Sequence, residues 1–366
     1  MSRIFLNDDW EFTEAFTETF FHMDVVVSGT KKVRLPHNCK ELPYHYFDEQ
    51  EYQMICAYRK QIFVPEEWSA KKVLLTVDGA AHFAEVYVNG VKCGEHYSGY
   101  TAFTLDISES LQFGEENTIT IKLDSRENLN IPPFGFVIDY MTYGGIYRDV
   151  FLDIKEPCYI KDIFVKPEES GAISSEIVLS ETCRGAYHVT QSLATESGKI
   201  KLTDGTVQDG RIRLDGFVQD VCLWDVENPK LYTLETELLL DGKCLDSRTD
   251  TIGFRSAQFR KDGFYLNGRK LKIRGLNRHQ SYPYVGYAMP ESMQRFDADI
   301  LKNELGCNAV RTSHYPQSHY FLDQCDRIGL LVFTEMPGWQ HIGDGAWKEQ
   351  AVQNVREMIE QYRNHP

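Results

Sequence analysis

The hydrophobic periodicity of this 366-residue chain changes after Phe254, and the change limits the folds that it can adopt. Before this point, segments such as residues 57–64 and 148–154 alternate polar and apolar side chains, which is typical of half-buried strands. Asn89-Gly90 and Asp241-Gly242 lie between such segments and predict tight hairpins. After Phe254, short strands alternate with amphipathic helices, which predicts parallel βαβ units. The chain is therefore expected to combine antiparallel β-sandwiches with an α/β domain.

The positions of these segments predict three domains. Residues 1–156 carry the first set of strands and no long amphipathic helix, which favours a β-sandwich. Residues 157–256 hold about seven further strands in about 100 residues, the size of an immunoglobulin-like sandwich. Residues 257–366 alternate strand and helix three times, whereas a closed (β/α)8 barrel has eight units and needs about 250 residues. The third domain is therefore expected to be an incomplete barrel.

Composition argues against several classes of function. The formal net charge is -15 and no cluster of Lys and Arg stands out, so nucleic acid is not an expected partner. No stretch approaches the ~20 consecutive apolar residues that a membrane span requires, so no membrane association is expected. Nine cysteines are scattered singly without a C-x-x-C pair, which favours reduced thiols over a disulfide framework. Together these features predict a cytoplasmic protein.

Three polar side chains follow the predicted strands of the last domain. His279 comes after the first strand, His314 after the second, and Glu335 at the end of the third. Because the carboxyl ends of parallel strands face the active site of a βα fold, these three groups are candidates for a shared site. Each one alone would more often be a solvated loop residue.

A metal site is the alternative use of the histidines. His279, His314, His319 and His341 could supply imidazole ligands, but their spacings of 35, 5 and 22 residues match no compact ligand signature. No metal site is therefore predicted from the residues themselves.

Long motifs in the chain resemble glycoside hydrolase family 2, the group of bacterial β-galactosidases, β-glucuronidases and β-mannosidases. The resemblance implies that the first sandwich is a jelly roll, the second an immunoglobulin-like domain and the third the catalytic barrel. It extends over essentially the whole chain. The motifs that carry it are VYVNGVKCGEHYSGYTAFTLDIS (86–108), GGIYRDVFLDI (144–154), LWDVENPKLYTLETEL (223–238), GFYLNGRKLKIRGLNRHQ (263–280), DILKNELGCNAVRTSHYP (299–316), CDRIGLLVFTEMP (325–337) and YRNHP (362–366).

The resemblance implies roles for individual residues. Asp139 matches the carboxylate by which the jelly roll of the family reaches into the active site to bind the terminal sugar. His279 and His314 match two histidines that contact the sugar. Glu335 keeps the acidic place in its motif, and we expect it to support the site rather than react. Trp339 is expected either to stack on the sugar or to be a core residue.

The chain also departs from the pattern of the family in two places. Gln280 stands where many β-galactosidases have Glu, which removes a charge. Residues 334–343 differ from the third-strand sequence that holds magnesium in some β-galactosidases. Magnesium or sodium is possible in the family, but no ligand set is evident here, so we predict neither a metal nor another cofactor.

The family hydrolyses β-glycosides with two carboxylates about 5–5.5 Å apart, an acid/base and a nucleophile. The resemblance implies that both lie beyond Pro366, so no catalytic residue is assigned in this chain, which is expected to be inactive alone. The motifs NRHQ and CDRIGLLVFTE favour β-galactosidase as the parent activity, with β-glucuronidase as the alternative. A non-catalytic carbohydrate-binding or scaffold protein is the other class of function left open.

An incomplete barrel would leave strand edges and helix faces without neighbours. We therefore expect a homo-oligomer or self-association through the open edge of the barrel. The remaining expected partner is the carbohydrate substrate.

Overall fold

The computed structural model describes residues 3–22, 25–43, 45, 48–135, 138–181, 183, 186–195, 198–207 and 209–366. Two antiparallel sheets form the first domain, with strand orders β1-β12-β5-β9 and β3-β2-β4-β10-β7-β8, and a short β6-β11 pair lies beside them. The strands are β1 (Arg3–Phe5), β2 (Trp10–Thr13), β3 (Lys31–Val33), β4 (Ile55–Val64), β5 (Lys72–Val77), β6 (Ala80–Ala81), β7 (Phe83–Val88), β8 (Val91–His96), β9 (Phe103–Asp106), β10 (Glu115–Asp124), β11 (Gly145–Ile146) and β12 (Val150–Lys155).

The core of this first sandwich follows from the alternation in the sequence. Every second residue of β7 points inward, so that Ala84, Val86 and Val88 are fully buried. Trp10 of β2 and Tyr58 of β4 join the same apolar cluster from this sheet, and Leu75 of β5 and Leu152 of β12 join it from the other sheet. Asn89 and Gly90 have φ angles of 51° and 79°, as the predicted hairpin turn requires.

The second domain is a seven-stranded sandwich. Its sheets have the orders β13-β14-β17 and β16-β15-β18-β19. The predicted Asp241-Gly242 turn joins β18 to β19 with φ angles of 50° and 79°. The strands are β13 (Ile160–Pro167), β14 (Ala172–Leu179), β15 (Tyr187–Thr195), β16 (Gly198–Val207), β17 (Arg211–Phe217), β18 (Tyr232–Leu240) and β19 (Lys243–Ile252).

A disulfide in this second domain corrects the expectation of nine reduced cysteines. Cys158 precedes β13 and Cys183 follows β14, and the antiparallel pairing of these two strands brings the Cα atoms within 4.8 Å. The 25-residue separation in sequence does not reveal this proximity, because it depends on the register of the two strands. The cysteine pattern therefore no longer argues for a reducing compartment.

The third domain begins with a small antiparallel sheet and continues as three parallel strands, β23-β24-β25, alternating with helices. At Gly275 the backbone of β23 approaches β24 so closely that a Cβ would lie 2.2 Å from the carbonyl oxygen of Ala309. The elements are β20 (Ala257–Arg260), β21 (Gly263–Leu266), β22 (Arg269–Leu271), β23 (Gly275–Asn277), α1 (Glu291–Asp299), which a π-helical turn (Ile300–Glu304) extends, β24 (Ala309–Thr312), α2 (His319–Ile328), β25 (Leu331–Thr334) and α3 (Ala346–Tyr362). No helix within the described residues is both long and apolar enough to cross a membrane.

Several apolar side chains of the third domain are exposed. Leu276 of β23 is 51% exposed, although the segment 271–277 reads as a buried strand, and Phe333 of β25 is 37% exposed. Val352 and Ile359 of α3 are also exposed. β23 and β25 are the two edges of the parallel sheet, and neither has an outer partner strand among the described residues. The register pairs Leu276 with Val310 and Phe333 with Arg311, so Leu276 and Phe333 lie on opposite faces of the sheet, whereas Val352 and Ile359 share one face of α3.

Arg148 joins the first domain to the third. Its guanidinium is buried and donates to the carbonyl oxygens of Tyr100 (3.1 Å) and Pro316 (3.0 Å) and to the side-chain oxygen of Gln280 (3.1 Å). A layer of tyrosines, including Tyr147, Tyr287 and Tyr315, packs around this contact. The junction is therefore held by charge-assisted hydrogen bonds to groups that have no access to water.

The last residues of the chain contact the second domain. The Asn364 side chain accepts from the backbone N–H of Val165 (3.0 Å) and donates to the carbonyl of Ile163 (2.9 Å). Arg363 forms an ion pair with Asp162. The motif RNHP thus ties α3 to the immunoglobulin-like sandwich.

We predict that Arg148→Met destabilises the chain by about 3 kcal/mol or more, because the buried carbonyl and amide oxygens lose their donors. Urea denaturation gives the free energy of unfolding. The matched control is Arg213→Met, whose side chain is 65% exposed beside Asp215 and should change stability by less than about 0.5 kcal/mol. Equal effects of the two substitutions would show that Arg148 is not a structural centre.

Candidate active site

Two histidines meet at the carboxyl ends of the first two barrel strands. His279 lies two residues beyond β23 and His314 two residues beyond β24. The strands are parallel neighbours in register, with Asn277 opposite Arg311, so the loops that follow them leave the sheet side by side. The ring centroids of the two histidines are 5.5 Å apart. The structure therefore brings together the two side chains that the sequence places at strand ends.

Glu335 joins this pair from the third strand. One of its carboxylate oxygens forms an ion pair with Arg311, and the other lies 3.2 Å from Nδ1 of His314. Nη2 of Arg311 lies 3.3 Å from the same Nδ1. In a neutral imidazole, Nδ1 cannot both accept a hydrogen bond from Arg311 and donate one to Glu335. We assign the proton to Nδ1, because the carboxylate of Glu335 is a strong hydrogen-bond acceptor. Nε2 of His314 is then the acceptor nitrogen of the ring.

Trp339 lies against His314, with ring centroids 4.3 Å apart. Its backbone has φ 110°, in a region where a bulky side chain costs on the order of 1–3 kcal/mol. The side chain is partly exposed, which separates it from the fully buried Trp10 and Trp224 of the cores. Trp339 therefore lies at the site beside His314 and outside the fully buried cores, and its stacking on a sugar stays a prediction.

Asp139 and Tyr140 reach this site from the loop between β10 and β11 of the first domain. The ring of Tyr140 lies 5.2 Å from His279 and 5.5 Å from His314, measured between centroids. Asp139 is exposed, and its charge raises the pKa of His279. Tyr140 was not singled out from the sequence, where a tyrosine beside a candidate aspartate has no distinguishing signal. The tertiary contact between the first and third domains brings it to the histidines.

The histidine His279 is predominantly neutral at pH 7. Burial lowers its pKa most, the neighbouring His314 lowers it further, and the carboxylate of Asp139 partly offsets both effects. Nδ1 of His279 lies 3.2 Å from the hydroxyl of Tyr315. Burial also raises the pKa of Tyr140 and Tyr315 well above the ordinary value, so both hydroxyls stay protonated. His279, Tyr140 and Tyr315 are therefore neutral hydrogen-bonding groups beside the exposed carboxylate of Asp139.

Gln280, which replaces a glutamate of the family pattern, is fully buried beneath the site. Its side-chain oxygen accepts from Arg148, so an amide takes the position at which a carboxylate would pair with the guanidinium. The departure at Gln280 therefore concerns the domain junction. It does not remove a charge from the surface of the site.

The four histidines of the metal alternative do not converge. His319 pairs with Asp78 and the ring of His341 packs edge-on against Trp347, while His279 and His314 lie together. Glu335 has both oxygens engaged by Arg311 and His314, so the third-strand carboxylate does not fit a magnesium site. Among the described residues, the potential ligand atoms of Asp323, Asp326 and His365 come within 4.8 Å of one another, beside α2 and the RNHP motif.

Comparison with known proteins identifies the family. Three models match: the sugar binding domain of glycosyl hydrolases family 2 over residues 41–157, a second family 2 domain over 158–255, and the TIM barrel domain over 257–366. The chain belongs to glycoside hydrolase family 2. The predicted fold class, a jelly roll, an immunoglobulin-like sandwich and part of a TIM barrel, is confirmed.

Relatives and solved structures of this family cover nearly the whole chain. It is 44% identical to a β-galactosidase of Thermoanaerobacter pseudethanolicus over 98% of its own length and 50% of the relative. It is 31% identical to a β-glucuronidase of Bacteroides fragilis, over 99% of the chain and 54% of the relative. A crystal structure of a Bacteroides uniformis β-glucuronidase superposes with a TM-score of 0.88 at 28% identity, over 100% of this chain and 46% of that one. The chain spans about half the length of the curated relatives it matches.

We predict that Asp139→Asn lowers the pKa of His279. The carboxylate stabilises the imidazolium, so removing its charge disfavours protonation while the fold is unchanged. A nitrogen-detected NMR titration of the histidine rings measures the pKa. Asp215→Asn, on the exposed surface of the second domain, is the matched control. A pKa of His279 that is the same in Asp139→Asn and in the unaltered chain would place Asp139 outside the site.

Proposed function

We propose that this chain forms the part of a retaining β-glycosidase that binds the terminal sugar. The single observation that carries the proposal is the convergence of Asp139, His279, His314 and Trp339 from two domains at one end of the barrel strands. A carboxylate, two imidazoles and an aromatic ring can hydrogen-bond the hydroxyls of a sugar and cover its apolar face. Glu335 acts as a positioning residue, because it holds Nδ1 of His314 and Arg311.

The substrate class that we propose is a terminal β-linked galactoside. The named β-galactosidases at 44% identity support this choice over the β-glucuronidases at 31%. The NRHQ and CDRIGLLVFTE motifs also favour a β-galactoside over a β-glucuronide as the substrate. β-Glucuronidase is the second candidate, because solved structures of that activity superpose on the entire chain.

Hydrolysis by this chain alone is not part of the proposal. Retaining hydrolysis needs a protonated acid and a nucleophilic carboxylate about 5–5.5 Å apart. Both carboxylate oxygens of Glu335 are engaged, one by Arg311 and the other by His314, so the side chain is poorly placed to donate a proton to a leaving group. We propose that the acid/base and the nucleophile are supplied by residues outside this sequence.

We expect the purified chain to bind galactose and lactose, with dissociation constants in the millimolar range, and not to hydrolyse an aryl β-galactoside. Isothermal calorimetry measures the binding, and release of the aryl group measures turnover. Asp139→Ala should weaken binding about tenfold or more, because the buried sugar hydroxyls lose a charged acceptor. Glucuronate in the same titration distinguishes the two substrate classes.

The control for this binding experiment is Asp215→Ala, which lies on the second domain and should bind like the unaltered chain. Turnover above the buffer blank would overturn the proposal that the chain alone is inactive. If Asp139→Ala leaves saturable binding unchanged, the sugar binds at another surface of the chain. This is the result that the non-catalytic binding or scaffold alternative requires.

We also propose that the chain self-associates through the open edges of the barrel sheet. Among the described residues β23 and β25 have no outer partner strand, Leu276 and Phe333 of these strands are exposed, and Val352 and Ile359 are exposed on α3, which are the usual features of an association surface. Light scattering should give a mass above one chain. The double substitution Leu276→Lys and Val352→Lys should shift it to the monomer. A monomeric unaltered chain would contradict the proposal.

A further inference from the structure

A barrel loop beside the candidate site exposes two tyrosines. Tyr282 and Tyr284 follow His279 in sequence, and each is 53% exposed. Backbone hydrogen bonds hold this loop in a turn: Tyr282 and Gly286 exchange two of them, with lengths of 3.1 and 2.9 Å. Tyr284 in turn forms an antiparallel bridge with Leu42 of the first domain. Both rings are therefore carried by backbone that is held in place.

Tyr284 also adopts a backbone conformation that a tyrosine disfavours. Its φ is 70°, in the left-handed region where Gly and Asn are the usual residues. A half-exposed ring contributes little core packing in return. Stability alone would favour a smaller residue at this position. The aromatic ring of Tyr284 therefore calls for a functional explanation.

Two open cavities lie where the loop meets the first domain, and Tyr284 lines both of them. The larger, of about 540 Å³, lies against residues 36–41, and the smaller, of about 200 Å³, lies against Leu42 and Tyr143. We call the two together the rim cleft. Both loops of the site continue into the smaller cavity, which is lined by Tyr143, three residues after Tyr140, and by Ser281, two residues after His279. Behind this lining the buried rings of Tyr287 and Tyr315 continue the row from Tyr143, with centroid distances of 4.6 and 5.3 Å.

The walls of the larger cavity carry charges of both signs. The carboxylate of Glu14 bridges the ammonium groups of Lys31 (3.1 Å) and Lys40 (3.2 Å), and Glu41 adds a second carboxylate. Two ammonium groups and two carboxylates cancel in charge, so the cavity does not select an anion. It does offer many donors and acceptors next to an aromatic ring, which suits a neutral polyhydroxylated ligand.

We infer that the rim cleft binds further sugar residues of a neutral β-linked oligosaccharide whose terminal sugar occupies the Asp139–His279–His314 site. The inference rests on the proposed function for the position of that terminal sugar. The rings of Tyr282 and Tyr284 stack on the apolar faces of the added residues, and Lys40 and Glu41 hydrogen-bond their hydroxyls. The chain would then prefer a trisaccharide over the monosaccharide.

The test is calorimetry of this chain with galactose and with a β-linked galactotriose. Tyr284→Ala and Tyr282→Ala should each weaken trisaccharide binding about fivefold or more and leave galactose binding unchanged. Tyr284→Gly is the second variant, since it removes the ring and relieves the left-handed backbone. Its melting temperature should equal or exceed that of the unaltered chain while trisaccharide binding is lost. Phe217→Ala, which removes a 62% exposed ring from the second domain, is the control for loss of an exposed aromatic.

The outcomes separate the two claims. If all three tyrosine variants bind the trisaccharide like the unaltered chain, the inference about the rim cleft is wrong, whatever effect Asp139→Ala has on galactose binding. An equal loss of galactose and trisaccharide in the Tyr284 variants also overturns it, because Tyr284 would then act through the terminal site. Trisaccharide binding that depends on the tyrosines but not on Asp139 supports the rim cleft and overturns the proposed terminal site.

Discussion

A single buried guanidinium, that of Arg148, holds the arrangement on which the candidate site depends. Its partners are the carbonyls of Tyr100 and Pro316 and the amide of Gln280, so one charged group connects the jelly roll with two barrel loops. Among the residues that the structure describes, no carboxylate pairs directly with this charge, which is dispersed over several oxygen dipoles. Such a contact tolerates little displacement, because each lost hydrogen bond leaves a buried acceptor unpaired.

The consequence of this junction is a site shared between domains. The loop of Asp139 and Tyr140 belongs to the jelly roll, whereas His279 and His314 belong to the barrel. The tyrosine layer around Tyr287 and Tyr315 fills the space between the two domains with rings that bury surface and keep their hydroxyls protonated. The same layer continues to the rim cleft. The junction therefore determines the shape of the site as well as the stability of the chain.

Local signals in the sequence predicted much of the fold. The Asn-Gly and Asp-Gly turns have the left-handed angles that they require, and α2 is capped by Ser318 at its start and by Gly329 at its end, as these residue types indicate. Periodicity was less reliable for burial. Phe296 of α1 and Leu305 just after the π-helical turn are 60% and 56% exposed, although both are large apolar residues of an amphipathic segment, whereas Ala298 and Leu301 reach the core.

The sequence by itself determined the class of each domain, the turns that join the strands, and the strand-end histidines, because these depend on local periodicity, turn chemistry and chain direction. Only the tertiary structure decided that Tyr140 lies beside both His279 and His314, that Glu335 is engaged by Arg311, and that Cys158 pairs with Cys183. These contacts join residues of different loops, strands or domains. Their proximity follows from strand register and domain packing, which no local pattern encodes.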